Sequence, residues 1–260
     1  MTVESIRAPL AGKKALVVGI ANEHSIAYGC AKAFHAQGAE LAVTYLNDKA
    51  KPYVEPLAQE LAAPILMPLD VSRPGEVEAV FAAITEQWGR LDILVHAIAF
   101  APKADLQGGL LNCSAEGFAM AMDISCHSFI RMARLAAPLM TQGGTMLAMT
   151  FNGANTVVPN YDLMGPVKAA LESTCRYLAY ELGKQGIRVH AVSPGPVKTR
   201  AASGLKGFDT LLDETAQHAP LGTLVDPMDV GYTCAFLASP EAHRLTGSTT
   251  YVDGGLHIMG

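Results

Sequence analysis

Seven short apolar runs, at 15–19, 41–45, 65–68, 93–96, 146–150, 189–193 and 249–252, alternate with longer stretches of helical spacing. Runs such as Leu16-Val17-Val18 and Ile93-Leu94-Val95 are apolar at every position. A strand with one wet face alternates, whereas a strand covered by helices on both faces does not. Between the runs, one helical face repeats every three or four residues, as at Val167, Leu171, Thr174, Leu178 and Leu182. Strand, helix, strand implies parallel crossovers. The expectation is a single doubly wound α/β domain over residues 1–260, with about seven parallel strands. The stretch 199–220, rich in Ala, Gly and Leu, has no place in the alternation and reads either as a flap over a ligand or as a surface excursion.

Composition removes several classes. Nineteen Lys and Arg against 24 Asp and Glu give a net charge of −5, which argues against nucleic acid or an anionic membrane surface as the main partner. The five cysteines form no CxxC pair and read as free thiols in a reducing cytoplasm. Glu4 and Arg7 interrupt any apolar leader, and Gly, Asn and Pro break the longest uncharged stretch, 135–161. Neither a signal peptide nor a membrane span is expected. The eight histidines, among them His24 and His96, lack metal-ligand spacing such as HExxH and read as surface or packing residues, so no metal is expected. Met120, Met122, Met132 and Met140 read as fillers of core and subunit contacts, and Trp88 as an anchor on the core.

The first run leads into Gly19-Ile20-Ala21-Asn22-Glu23-His24-Ser25 and then a helix. A backbone turning beside a pyrophosphate needs small residues, and the free N–H groups of a helix start point at the anion. Gly19 supplies the turn, Ala21 permits close approach, and Ser25 stands where a hydroxyl caps the helix or bonds a phosphate oxygen. An ordinary serine-capped turn accounts for the same letters. After the second run, Leu46-Asn47-Asp48 offers no Arg for a 2′-phosphate, and Asp48 would repel one, which favours NADH over NADPH. After the third run, Asp70 stands where a carboxylate accepts from an adenine amine or caps a helix over 73–88.

Tyr161 and Lys168 are seven apart at the expected start of a long helix, nearly two turns, and so would share a face. A tyrosine hydroxyl donates to an oxygen that gains charge during hydride transfer, and a neighbouring lysine lowers its pKa and binds a ribose. The pair follows the fifth strand, at the edge of a doubly wound sheet where ligands gather.

Taken together with Asp70-Val71, the segment from His96 to Pro102, Ser193-Pro194-Gly195 and Tyr251-Val252-Asp253-Gly254-Gly255, these motifs run nearly end to end. The chain resembles the short-chain dehydrogenase/reductase superfamily with its Rossmann fold, and within it the NADH-dependent enoyl-acyl-carrier-protein reductases. The separating feature is Tyr-x6-Lys, since ketone reductases of that superfamily use Tyr-x3-Lys, and position 165 here is Gly165. The resemblance implies Tyr161 beside the thioester carbonyl and Lys168 on the nicotinamide ribose. It implies Gly19, Ser25 and Ile26 at the pyrophosphate, Leu46, Asp70 and Val71 around the adenosine, and Ile98, Val197 and Thr199 along the rest of the cofactor. Ala101, Phe151, Tyr161 and Met164 would meet the substrate, and 199–220 would become the loop over its acyl chain. The partners so implied are NADH and an enoyl thioester on acyl carrier protein, and the implied assembly is a homotetramer. Many bacterial members carry a tyrosine where this chain has Phe151, the mycobacterial branch has phenylalanine, and Leu46 replaces a residue commonly polar. Two rival readings stay open: a related reductase of another activated alkene or a carbonyl, and a non-catalytic dinucleotide-binding paralogue.

Overall fold

A computed structural model describes residues 8–199 and 208–259. All seven apolar runs form strands: β1 (Lys14–Val18), β2 (Glu40–Tyr45), β3 (Ile65–Pro68), β4 (Ile93–His96), β5 (Gly144–Met149), β6 (Ile187–Pro194) and β7 (Thr249–Val252). They make one sheet in the order β3-β2-β1-β4-β5-β6-β7, with every pair parallel. β5 and β6 begin two residues earlier than their apolar runs because Gly144 and Ile187 already pair, adding a rung before the hydrophobic stretch starts.

The continuous apolarity of the strands has the expected cause. Val17, Val43, Val95 and Leu147 pack beneath α1 (Ile26–Ala36), α2 (Lys51–Glu60) and α9 (Pro227–Ala238). Their neighbours Leu16, Ala42, Leu94 and Met146 pack on the other face, against α3 (Glu76–Trp88), α6 (Ser128–Ala136) and α7 (Met164–Leu182). The remaining helices among the described residues are α4 (Lys103–Leu106), α5 (Ala115–Met122) and α8 (Phe208–His218). A capping box between Asp226 and Asp229 fixes the start of α9.

Several local expectations need correction. The helix expected from Asn160 starts at Met164, because Asn160 (φ 64°) and Asp162 (φ 36°) hold left-handed backbone that a helix cannot contain. Tyr161 therefore sits in the turn ahead of α7, and the shared-face argument for it and Lys168 fails. The helix expected over 73–88 starts at Glu76, after Gly75 (φ 86°). Between α5 and α6 the chain takes a π-helical turn at Asp123–His127. Met120 is 45% exposed and fills no core. Trp88, by contrast, packs on the core as expected while half-buried, its indole N–H donating to Glu40 Oε1 at 2.5 Å. Of the suspected flap, Ala201, Ala202 and Leu205 lie outside the described residues, while Leu212 on α8 is buried.

The first and last long helices meet closely. A Cβ on Gly231 of α9 would collide with the Gly29 carbonyl of α1, and one on Gly29 with the Pro227 carbonyl. Gly231→Ala is expected to cost about 1–3 kcal/mol through overpacking. Gly183→Ala, where a Cβ meets open space, is the control, and urea midpoints compare the two.

Two buried histidines set the acid limit. His190 on β6 has no partner for either ring nitrogen among the described residues, and His96 on β4 is paired only at Nε2, with Ser128 Oγ at 2.7 Å. Burial, then the Arg188 charge, pushes His190 down to about 4. Burial, then the Lys168 charge, pushes His96 down to about 3. The unfolded chain binds these protons first, so the stability that the neutral rings contribute is present above pH 6.5 and lost as pH falls through the folded values. His190 accounts for a loss on the order of 3 kcal/mol. Urea titrations between pH 7 and 4 are expected to show this slope, shallower in His190→Leu; an equal slope in that variant would discharge His190 from the role.

Candidate active site

The site lies at the carboxyl edge of the sheet, where β1, β4, β5 and β6 end. Gly19 leaves β1 with φ 111°, and a Cβ there would strike the Ala97 carbonyl that follows β4, so this turn requires glycine. Ser25 occupies the N-cap position of α1 but does not cap it. Its Oγ turns back and accepts from the N–H groups of Ala21 (3.0 Å) and Asn22 (3.1 Å), which shapes the loop. No side chain caps the first turn of α1, and while the Tyr28 N–H donates to the Ser25 carbonyl at 2.9 Å, the N–H groups of Ile26 and Ala27 stay available to an anion.

These residues open into a pocket of about 170 Å³. Among the residues that line it are Gly19, Ser25, Ile26, Ile98, Lys168 and Thr199, six of the positions expected at a cofactor, joined by Ala97, Met149, Thr150 and Pro194. A small-residue turn, an uncapped helix start and a buried cation fit the pyrophosphate and ribose of a dinucleotide.

Lys168 is 4% exposed, and its Nζ donates to the Met149 carbonyl at 2.7 Å. Burial lowers its pKa to about 8. One turn further along α7, Glu172 is also buried and accepts from Thr150 Oγ1 at 2.9 Å. Two side chains four apart on one helix thus hold two consecutive residues at the end of β5.

Tyr161 belongs to a second opening, of about 460 Å³, lined by the 153–162 segment together with Leu110, Gly165, Pro166 and Ala169. Its ring meets Phe151 edge-on, with centroids 4.9 Å apart at 62°, and lies against Gly153, whose Cβ would touch it. It also packs with Ala101 against a small apolar cluster of Ala121, Leu163, Met164 and Val167. All four expected substrate positions, Ala101, Phe151, Tyr161 and Met164, therefore come together. Burial raises the pKa of Tyr161, which keeps the phenol protonated and a donor.

Four expected cofactor positions lie outside the smaller pocket. Leu46 follows β2 and is exposed. Asp70 follows β3, and its Oδ1 is held by the Ser72 N–H (2.9 Å) and hydroxyl (2.6 Å), while Glu76 Oε2 accepts from the Asp70 N–H at 2.6 Å. It shapes that turn without capping α3. Val71 is buried, its carbonyl accepting from Arg131 at 2.9 Å, and Val197 is buried beyond β6. Residue-type reasoning passed over Thr150, Asn155 and Glu172. The available signal was a carboxylate one turn beyond Lys168 on the apolar face of the helix.

Residues 19–257 match the family model described as enoyl-(acyl carrier protein) reductase. The chain is 46% identical over 252 residues to the NADH-dependent enoyl-[acyl-carrier-protein] reductase FabI of Aquifex aeolicus, covering 96% of this chain and 93% of that protein. It is 45% identical over 254 residues to FabI of a Nostoc species, covering 96% and 98%. Its structure superposes on that of an enoyl-(acyl-carrier-protein) reductase from Anaplasma phagocytophilum in complex with NAD, with TM-score 0.93, 44% identity, and 97% and 96% of the two chains covered. The Bacillus cereus enoyl-acyl carrier protein reductase, solved with NADP+ and an indole naphthyridinone, superposes with TM-score 0.94 at 40% identity, covering 96% and 98%.

Proposed function

This chain belongs to the enoyl-(acyl carrier protein) reductase family, and from that premise we propose how its residues carry out the reaction. It is an NADH-dependent enoyl-[acyl-carrier-protein] reductase of fatty-acid synthesis, reducing the trans-2 double bond of an enoyl thioester. When bound, NADH supplies a hydride to the β-carbon of that double bond.

The observation that carries the mechanism is the gathering of Tyr161, Phe151, Ala101 and Met164 beside the pocket that contains Lys168. As negative charge collects on the thioester oxygen, the Tyr161 hydroxyl donates to it, a preorganised donor aimed at developing charge. Phe151 has no hydroxyl to share that task, and its ring instead sets the angle of the tyrosine. Lys168, held at the Met149 carbonyl, presents its remaining N–H donors to the ribose. The uncapped start of α1 takes the pyrophosphate, with Gly19, Ser25 and Ile26 around it and Ile98 and Thr199 along the pocket wall. Leu46, Asp70, Val71 and Val197 contact the outer parts of the cofactor, where Asp70 Oδ2, 3.7 Å from Arg73 Nε, is the carboxylate oxygen that Ser72 does not hold. With no arginine beside Leu46 to bind a 2′-phosphate, NADH is the preferred donor.

We further propose that the chain acts as one domain, with the segment 199–220 over the acyl chain, in the cytoplasm and as a homotetramer. Exposed Tyr177 and Tyr180 on α7, and Phe118 on α5, support association through apolar faces. No helix among the described residues is long and apolar enough to cross a membrane.

Steady-state oxidation of NADH with a trans-2-enoyl thioester tests the reading, with NADPH and a 3-ketoacyl thioester in parallel. Tyr161→Phe is expected to lower kcat at least a hundredfold, the scale of one lost oxyanion donor. NADH affinity should survive. Unchanged turnover in that variant removes Tyr161 from the mechanism.

A further inference from the structure

Glu172 is buried to 5% exposure on α7, lines neither opening, and yet is bonded to one lining residue of each. Its Oε1 accepts from the Thr150 hydroxyl at 2.9 Å, and its Oε2 from Asn155 Nδ2 at 3.3 Å. The same amide nitrogen donates to Tyr251 Oη at 3.1 Å, and the Tyr251 ring stacks on His257 with centroids 3.9 Å apart. His257 is in turn bonded to Asp253 at 3.0 Å. One carboxylate thereby ties the end of β5 to the residue that follows the Asn152–Ala154 turn and, through Asn155, to β7.

The first two ties end on working parts. Thr150 lines the smaller pocket beside Lys168, whose own bond goes to the preceding residue, Met149. The 152–154 turn includes Gly153, on which the Tyr161 ring rests. A buried carboxylate is costly to keep unless it is paired and hydrogen-bonded, so a purely apolar filler would hold α7 to the sheet at less expense. We propose that Glu172 is a positioning residue for the reduction, aligning the Lys168 end of β5 with the turn that supports Tyr161. The proposal rests on the roles given above to Tyr161 and Lys168.

The groups facing Lys168 are His96 from β4, Cys126 from the π-helical turn, and Cys175 and Glu172 from α7. His96 is pushed down to about 3 and Cys175 up to about 12, so both are neutral near pH 8. Glu172 favours the ammonium, after Cys126 in order of influence. Tyr251, Asn155 and Thr150 are the other groups packed on Glu172, and Tyr251 is itself raised by burial and then by the Glu172 charge.

The test is NADH affinity against pH, read by NADH fluorescence on the full chain, beside kcat for the enoyl thioester. In the wild type, affinity is expected to fall above about pH 8 as Lys168 loses its proton. Glu172→Gln should move that limb down by about one pH unit, because removing an opposite charge lowers a lysine pKa. It should also lower kcat about tenfold through misplacement of Tyr161. Glu172→Asp, which keeps the charge, should return the limb to its wild-type position. A filler role would leave the limb where it was in both variants, and that result overturns the proposal. If Glu172→Gln does not fold, Asn155→Ala decides: a fall in kcat with the NADH limb unmoved supports the proposal, and wild-type kcat overturns it. Should the wild type itself fail to reduce the enoyl thioester, the functional reading falls, while the NADH titrations still judge Glu172.

Discussion

A parallel sheet has no wet face, and that one requirement organises this protein. Each strand sends successive side chains into two different helical layers, Leu16 into one and Val17 into the other, so both layers must form before both strand faces are dry. Parallel connections also bring every strand's carboxyl end to the same edge, together with the starts of the helices that follow. Chemistry gathers there because the backbone donors, the turns and the buried ends of β4, β5 and β6 converge on it. Lys168 and Glu172 are the price of that convergence, two buried charges kept where the end of β5 can satisfy them.

The architecture was legible because its signal is redundant. Seven apolar runs separated by helical spacing specify a doubly wound sheet even though two strand starts fell two residues late. Boundaries failed where a local backbone conformation overrode the pattern. Asn160 and Asp162 adopt left-handed backbone that their side chains tolerate but do not announce, and so Tyr161 left the helix to which spacing assigned it. Ser25 was recognised as a significant residue in the right place, but the direction of its hydroxyl depends on the loop's three-dimensional path and is not encoded in spacing.

The site was legible in part, and the division is physical. Small residues in a tight turn, and a Tyr with a Lys after the fifth strand, are constraints of residue type. Thr150, Asn155 and Glu172 are constraints of arrangement, brought together from β5, a turn and α7. The substitution of phenylalanine at 151 takes on a definite meaning in this setting. Its ring supports the tyrosine through an edge-on contact that needs no hydroxyl, so donor and support are divided between two residues. Leu46 stands at the opposite extreme, an exposed apolar side chain beyond β2.

The close contact of Gly29 with Gly231 bears on how the protein comes into being. The helix that starts at the phosphate loop is among the first elements to leave the ribosome, and the helix that covers it is among the last. Until α9 has been made, α1 lacks the surface against which its buried face packs, and the face of β1 beneath it stays partly open. The helix behind the phosphate loop is therefore fully backed only when α9 is in place.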